Sequence, residues 1–238
     1  MKKLFLVTIL ILSSSNSFSQ WSDEPSDQIL IRGGWLFDGV SDSRRKNKDI
    51  LIEKGKIIYV DRSLEKDIAS TIKIIELSDS ETILPGMIDL HAHYNFDFID
   101  QGRVEEVVNN GIIFLANGVT STWSAGESDP EEILKHRDLI DSQNAIGPRL
   151  FASGPFFGGF RCEYNVKTAL DDCSAWPNDI SEEEIRSEVD KWAKKGIISI
   201  KIKQATLEET RIIIDQADKH GITTAAHLAN YEWEYDVH

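Results

Sequence analysis

Between Gln28 and Leu84 the chain alternates short apolar runs with turn residues. QILIRGGWLF is one run broken by Gly33-Gly34. DILIEKGKIIYV holds two runs on either side of Lys54-Gly55, the pattern of a β-hairpin. TIKIIEL and ETIL follow as two further runs. Nothing here repeats with the 3.6-residue spacing of a helix, which predicts a small β module.

After Pro85 the rhythm changes. MIDLHAH reads as a strand, and Arg103 to Asn117 has helical spacing that ends before Gly118. VTSTWS is the next strand. Pro130 to Ser142 is a helix, with Asp129 as N-cap and proline at the first helical position. PRLFASG is a third strand, and a Gly- and Cys-containing loop then runs to about Ile180. Ser181 opens S-E-E-E, a capping box for a helix to Lys195. IISIKIK is a fourth strand. Thr206 opens a second capping box, T-L-E-E, for a helix to His220 closed by Gly221. ITTAAHLA is the fifth strand. Strand and helix alternate throughout, which predicts parallel βαβ units. The expected division is a leader over 1–19, a β module over 20–84 and a β/α region over 85–238.

The leader has its own pattern. MKK is basic, LFLVTILIL is an apolar run too short to span a bilayer, and SSSNSFSQ supplies small residues around a cut after Ser19. This is the layout of a secretory signal peptide. The alternative is a buried N-terminal strand. The expected location is periplasmic or secreted, with no membrane association once the leader is gone.

Composition narrows the partners. The formal charge of −14 and pI near 4.8 repel phosphate backbones, so no nucleic-acid partner is expected. The two cysteines, Cys162 and Cys173, flank CEYNVKTALDDC. Export would place them where a disulfide persists, and two free thiols are the alternative. Their spacing does not resemble a metal-thiolate site.

The candidate chemistry sits in LPGMIDLHAHYNFD. Alternate residues on a strand share a face, which groups Asp89, His91 and His93 opposite Ile88, Leu90 and Ala92. The apolar set suits a covering of helices. Two imidazoles and a carboxylate cost several kcal/mol to bury without partners (about 2–7 for each unpaired polar group). A divalent ion is the obvious partner, since histidines at i and i+2 can each offer it a nitrogen. An H-x-H pair alone is more often part of an ordinary strand than a metal site, so the flanking residues matter.

PGMIDLHAH resembles the first-strand signature of the metal-dependent amidohydrolase superfamily. The GVTSTW and G-x-x-x-I-K-I patterns are similar to its imidazolonepropionase- and prolidase-like branch. The resemblance covers roughly residues 28 to 230. It implies a TIM-like (β/α)8 barrel flanked by a β-sandwich whose first part would be the small β module. It implies that His91 and His93 bind metal, that Lys201 in GIISIKI is the fourth-strand lysine, carbamylated to bridge two ions, and that His227 is the fifth-strand ligand. One or two divalent ions, Zn2+ by default for imidazole ligands, would be the cofactor. Lys203 shares the parity of Lys201 and remains its competitor, and either lysine is otherwise an exposed strand end. His227 is otherwise a core histidine. His220 suits a helix C-terminus and reads as structural. Tyr94, Asn95, Asn230 and Tyr231 adjoin the ligands and are candidates to touch substrate.

The expected reaction is hydrolysis of an amide or peptide-like C–N bond in a small molecule or short peptide, by metal-activated water. The resemblance also calls for a histidine on a sixth strand and a proton-transferring aspartate on an eighth. Neither can be placed. His238 follows His227 too closely for an intervening helix. A (β/α)8 barrel takes about 250 residues, more than 85–238 supplies. The expected fold is therefore an incomplete barrel of about five strands, and the chain reads as a fragment of the parent enzyme. The alternative is a non-catalytic exported β/α binding module retaining the metal histidines. A homo-oligomer is left open.

Overall fold

The computed structural model describes residues 28–62, 64, 72–98, 102–159, 176 and 179–227. The leader, Cys162, Cys173, Asn230, Tyr231 and His238 lie outside them. The chain divides into two compact units, 1–85 and 86–238.

The first unit is a five-stranded sheet. Strand β1 (Gln28–Leu36) is its centre. It pairs antiparallel with β2 (Arg45–Lys46) and β3 (Asp49–Glu53), and parallel with β5 (Lys73–Ile83). Strand β4 (Lys56–Asp61) closes the expected hairpin with β3. Lys54 and Gly55 both take positive φ at its turn (48° and 73°), as the twist of a two-residue hairpin demands. Two expectations change. Gly33-Gly34 does not break the first run. Both glycines have positive φ, and the register against β5 shifts there: the step from Gly33 to Trp35 matches the longer stretch from Leu77 to Thr82, so β5 carries the bulge and β1 continues. TIKIIEL and ETIL belong to one long strand: pairing with β1 stops at Leu77 and resumes at Thr82, and the intervening SDS bulges out without ending the strand.

The second unit is α/β. Strand β6 (Met87–Ala92) pairs parallel with β9 (Val119–Ser124), and β9 with β10 (Arg149–Phe151). Strand β11 (Phe156–Phe157) pairs parallel with β12 (Ser199–Ile202), and β12 with β13 (Thr223–Ala226). The segment from β10 to β11 passes from one three-stranded sheet to the other: Ala152 accepts a hydrogen bond from the Ile198 amide (3.1 Å). The result is five barrel-type positions in chain order, the third split in two. Gly86 precedes β6 because Thr120 of β9 fills the space beside it. A Cβ there would lie 1.9 Å from the Thr120 hydroxyl.

Helices α1 (Val107–Ala116), α2 (Pro130–Asp141), α3 (Glu182–Lys194) and α4 (Leu207–Lys219) connect these strands. Both expected capping boxes form, Ser181 with Glu184 and Thr206 with Glu209. Asp129 caps α2 by accepting from the Glu132 amide (3.1 Å). The helix expected from Arg103 starts only at Val107. The preceding residues form β8 (Gly102–Glu105), paired antiparallel with β7 (Asn95–Phe98) in a hairpin that the helical reading had absorbed. The core gathers β10 to β12 with the inner faces of α2, α3 and α4. Ile133, Ile185, Val189, Ile200 and Ile213 are each at most 1% exposed. Ile88 and Leu90 behave otherwise. They are 61% and 73% exposed, so the expected helical covering of the apolar face of β6 is absent among the described residues. No described helix is long and apolar enough to cross a membrane.

Candidate metal centre

The histidine pair is set by a bulge. Along β6 and β9, Asp89 stands opposite Thr122 and Ala92 opposite Ser124, so β6 spends one residue more than its partner. The Asp89 carboxylate accepts a hydrogen bond from the His91 amide (2.9 Å), which occupies a donor at the bulge. Bulges re-aim side chains. Here the rings of His91 and His93 come to 5.2 Å between centroids at 68°. Two imidazoles sharing one tetrahedral ion at Zn–N distances of about 2.0–2.1 Å have centroids about 5 Å apart, so this pair fits one cation.

Lys201 sits on β12, buried at all four positions. It is 3% exposed. Its Nζ stands 5.9 Å from the centre of the Trp123 ring on β9. The same indole meets the His91 ring edge-on, at 6.2 Å and 85°. Desolvation pushes the Lys201 amine below its ordinary pKa. The His91 imidazole is lowered first by desolvation and then by Lys201, against a smaller opposing pull from Asp89. His227 follows β13 directly, its amide bonded to the Ile202 carbonyl (2.9 Å). Its imidazole is lowered by desolvation, then by Lys203, Lys201 and His91. Mutual repulsion of this kind requires proximity, so His91, Lys201 and His227 share one electrostatic neighbourhood. It favours neutral imidazoles, the form that ligates metal. Among the described residues no three His, Cys, Asp or Glu side chains gather closely enough to hold an ion. The described donor set is therefore an imidazole pair with Lys201 and His227 near it. Lys203 is half-buried and its Nζ lies over Phe156, 5.9 Å from the ring centre.

The adjoining candidates separate. Tyr94 is 1% exposed and packs edge-on against Phe114. Its hydroxyl pairs with the Thr122 hydroxyl (2.6 Å), and burial pushes its pKa up to about 12. It lies in the core rather than on an open face. Asn95 is half-buried at the start of β7. His220 bonds Asp190 (2.6 Å) across the α3–α4 contact, which is a structural role.

Two features were not singled out from the sequence. Trp123 is one. The other is Glu127, 2% exposed just beyond β9. Its carboxylate accepts from the Ser124 hydroxyl and from the Ser153 amide (3.1 Å), tying the exit of β9 to that of β10. Only the placement of an acid immediately after a strand ending in serine hinted at it.

The amidohydrolase family profile matches residues 82–238, which span β6 to β13 and every candidate ligand. The chain belongs to the amidohydrolase family. It is 31% identical to dihydropyrimidinase of Rattus norvegicus over 98 residues, covering 40% of this chain and 18% of that protein. It is 27% identical to dihydroorotase of Carboxydothermus hydrogenoformans over 104 residues, covering 43% and 22%. Among solved structures it resembles a Xaa-Pro dipeptidase with bound methionine in the active site. The TM-score is 0.67 at 23% identity, over 84% of this chain and 56% of that one. It also resembles molinate hydrolase, with a TM-score of 0.70 at 20% identity, over 87% and 55%. The structural likenesses concern the fold. This amidohydrolase chain spans little more than half the length of those structures and about a fifth of the curated relatives.

Proposed function

We propose that this chain carries the first half-site of an exported, metal-dependent hydrolase that cleaves an amide or peptide-like C–N bond, in the prolidase-like branch of the family. The observation that supports it most is the buried Lys201 beside an imidazole pair whose 5.2 Å spacing suits one cation. His91 and His93 would hold the ion, with His227 near them, and Zn2+ is the expected metal. When bound, the ion lowers the pKa of a water and polarises the scissile carbonyl. An ammonium has no lone pair to ligate with, so Lys201 would contribute as a carbamate. Trp123 shields this lysine from water. No described residue is assigned the proton transfer. The substrate is a small amide or short peptide, in line with the fold shared with a Xaa-Pro dipeptidase. Export rests on the basic start and apolar run of residues 1–19. Intact mass of material secreted by a bacterial host should show a chain beginning at Gln20, and retention of Met1 would refute it.

The central test, made in the completed protein, compares Lys201→Ala with Lys203→Ala for hydrolysis of Xaa-Pro dipeptides, with and without added short carboxylic acids. Loss in Lys201→Ala alone, partly restored by the acid, supports the reading. A dead Lys203→Ala shifts the assignment by one strand step. Bound metal without hydrolysis in the completed protein favours a non-catalytic module.

A further inference from the structure

Trp123 holds a polar atom that the proposed chemistry has not used. Its indole Nε1 is fully buried and has no hydrogen-bond partner among the described residues. Buried indole N–H groups usually find an acceptor, and an unmet donor costs about 1–3 kcal/mol. The ring stands between two candidate site residues, with the His91 ring against it and the Lys201 Nζ 5.9 Å from its centre.

We propose that Trp123 is a positioning residue whose Nε1–H donates to a carboxylate-type oxygen carried by Lys201 as a carbamate, fixing that oxygen before metal is bound. The inference rests on the carbamate reading above and adds the residue that holds the group. The covalent step balances with carbon dioxide as co-reactant. The Lys201 nitrogen lone pair attacks its carbon, an N–C bond forms, one C=O pair becomes carboxylate charge, and the nitrogen releases a proton to solvent.

The distances allow it. A carbamate oxygen stands about 2.3 Å from its nitrogen. A hydrogen bond adds about 2.9 Å, for a reach of about 5 Å. The Lys201 Nζ lies over the ring, so the oxygen meets Nε1–H once the lysine side chain swings toward that edge, and Nε1 lies off the ring centre by about one bond length, which covers the difference from 5.9 Å. The electrostatics change sense on carbamylation. The face of an indole attracts an ammonium, whereas its positive edge attracts an anion, and Nε1–H is on that edge. Hydrogen bonds to ionised acceptors are roughly twice as strong as neutral ones. Both Lys201 and Nε1 are buried, so water does not compete.

The test uses the full chain with 13C-labelled bicarbonate, first without and then with Zn2+, and without substrate, which excludes a substrate carboxylate as the acceptor. Carbon NMR reads the carbamate, and nitrogen NMR reads the indoles of the six tryptophans. One indole resonance should shift with bicarbonate in the unchanged chain, and none in Lys201→Ala. Trp123→Phe keeps a ring and loses the donor. Carbamate occupancy at fixed bicarbonate should fall roughly tenfold there. A Lys201-dependent carbamate with no indole shift in the unchanged chain overturns the role of Trp123 and leaves the carbamate standing, even if Trp123→Phe fails to fold. No Lys201-dependent carbamate at all overturns both.

Discussion

Strand β12 is buried at all four of its positions, whereas β6 is exposed at four of six, yet each carries candidate ligands. Neighbours make the difference. β12 lies between β11 and β13, and Ile200 and Ile202 join a core with Ile212, Ile213 and Trp192 from α4 and α3. β6 has β9 on one side, and among the described residues nothing covers Ile88 or Leu90. The surroundings of Lys201 are thus supplied by the described chain itself. Those of His91 and His93 are supplied on one side only, which leaves both rings exposed. Desolvation leads the shift at Lys201 and at His91, but only the lysine is buried.

The largest contrast is in stability. Ile200→Ala should cost about 2–5 kcal/mol by loss of buried volume. Leu90→Ala should change stability by at most about 0.5 kcal/mol, as at a surface. Urea unfolding of both variants measures this. Equal costs would mean that β6 is covered in solution, and the comparison would collapse.

Metal content comes next. Replacing His91 and His93 together by alanine should remove most bound Zn2+ by elemental analysis, while Lys203→Ala keeps it. Unchanged metal in the double variant would place the ion elsewhere.

Helix caps sharpen the same contrast at a smaller scale. Ser181→Ala should cost about 1 kcal/mol, since it removes the serine half of the capping box on α3. Glu106 caps α1 by accepting from the Asn109 amide (3.1 Å), and glutamate is not a favoured N-cap. Glu106→Ala should cost less than Ser181→Ala in the same unfolding assay.

The smallest effect concerns acid. Hydrogen bonds from Gln216, and then from His220, hold the Asp190 carboxyl below the usual carboxylate range. A lowered folded pKa gives stability that is complete above the unfolded value of about 3.9 and lost as pH falls through the folded one. Unfolding midpoints should therefore drop between about pH 5 and pH 3. Asp190→Asn should remove a few tenths of a kcal/mol of that slope, because the group is partly exposed. An unchanged slope would show that the α3–α4 contact does not depend on this bond.

Local chemistry in the sequence was enough for the features that local forces build. S-E-E-E and T-L-E-E set two helix starts, since each box closes within four residues. Lys54-Gly55 set a hairpin, and H-x-H set a pair of imidazoles at the end of one strand. Alternation of strand and helix predicted the parallel pairing of β6, β9 and β10 and of β11, β12 and β13. Competition between local patterns hid the β7–β8 hairpin, because the start of a helical pattern ran back over Arg103. The bulge at Asp89 was also hidden, since register against β9 depends on a partner more than twenty residues away. Which lysine is enclosed, and that Trp123 stands between His91 and Lys201, follow from β6, β9 and β12 meeting across the fold. Ser199, Lys201 and Lys203 share a parity, so the pattern alone could not choose among them. Only packing could, because burial depends on neighbours that the chain brings in from far along its length.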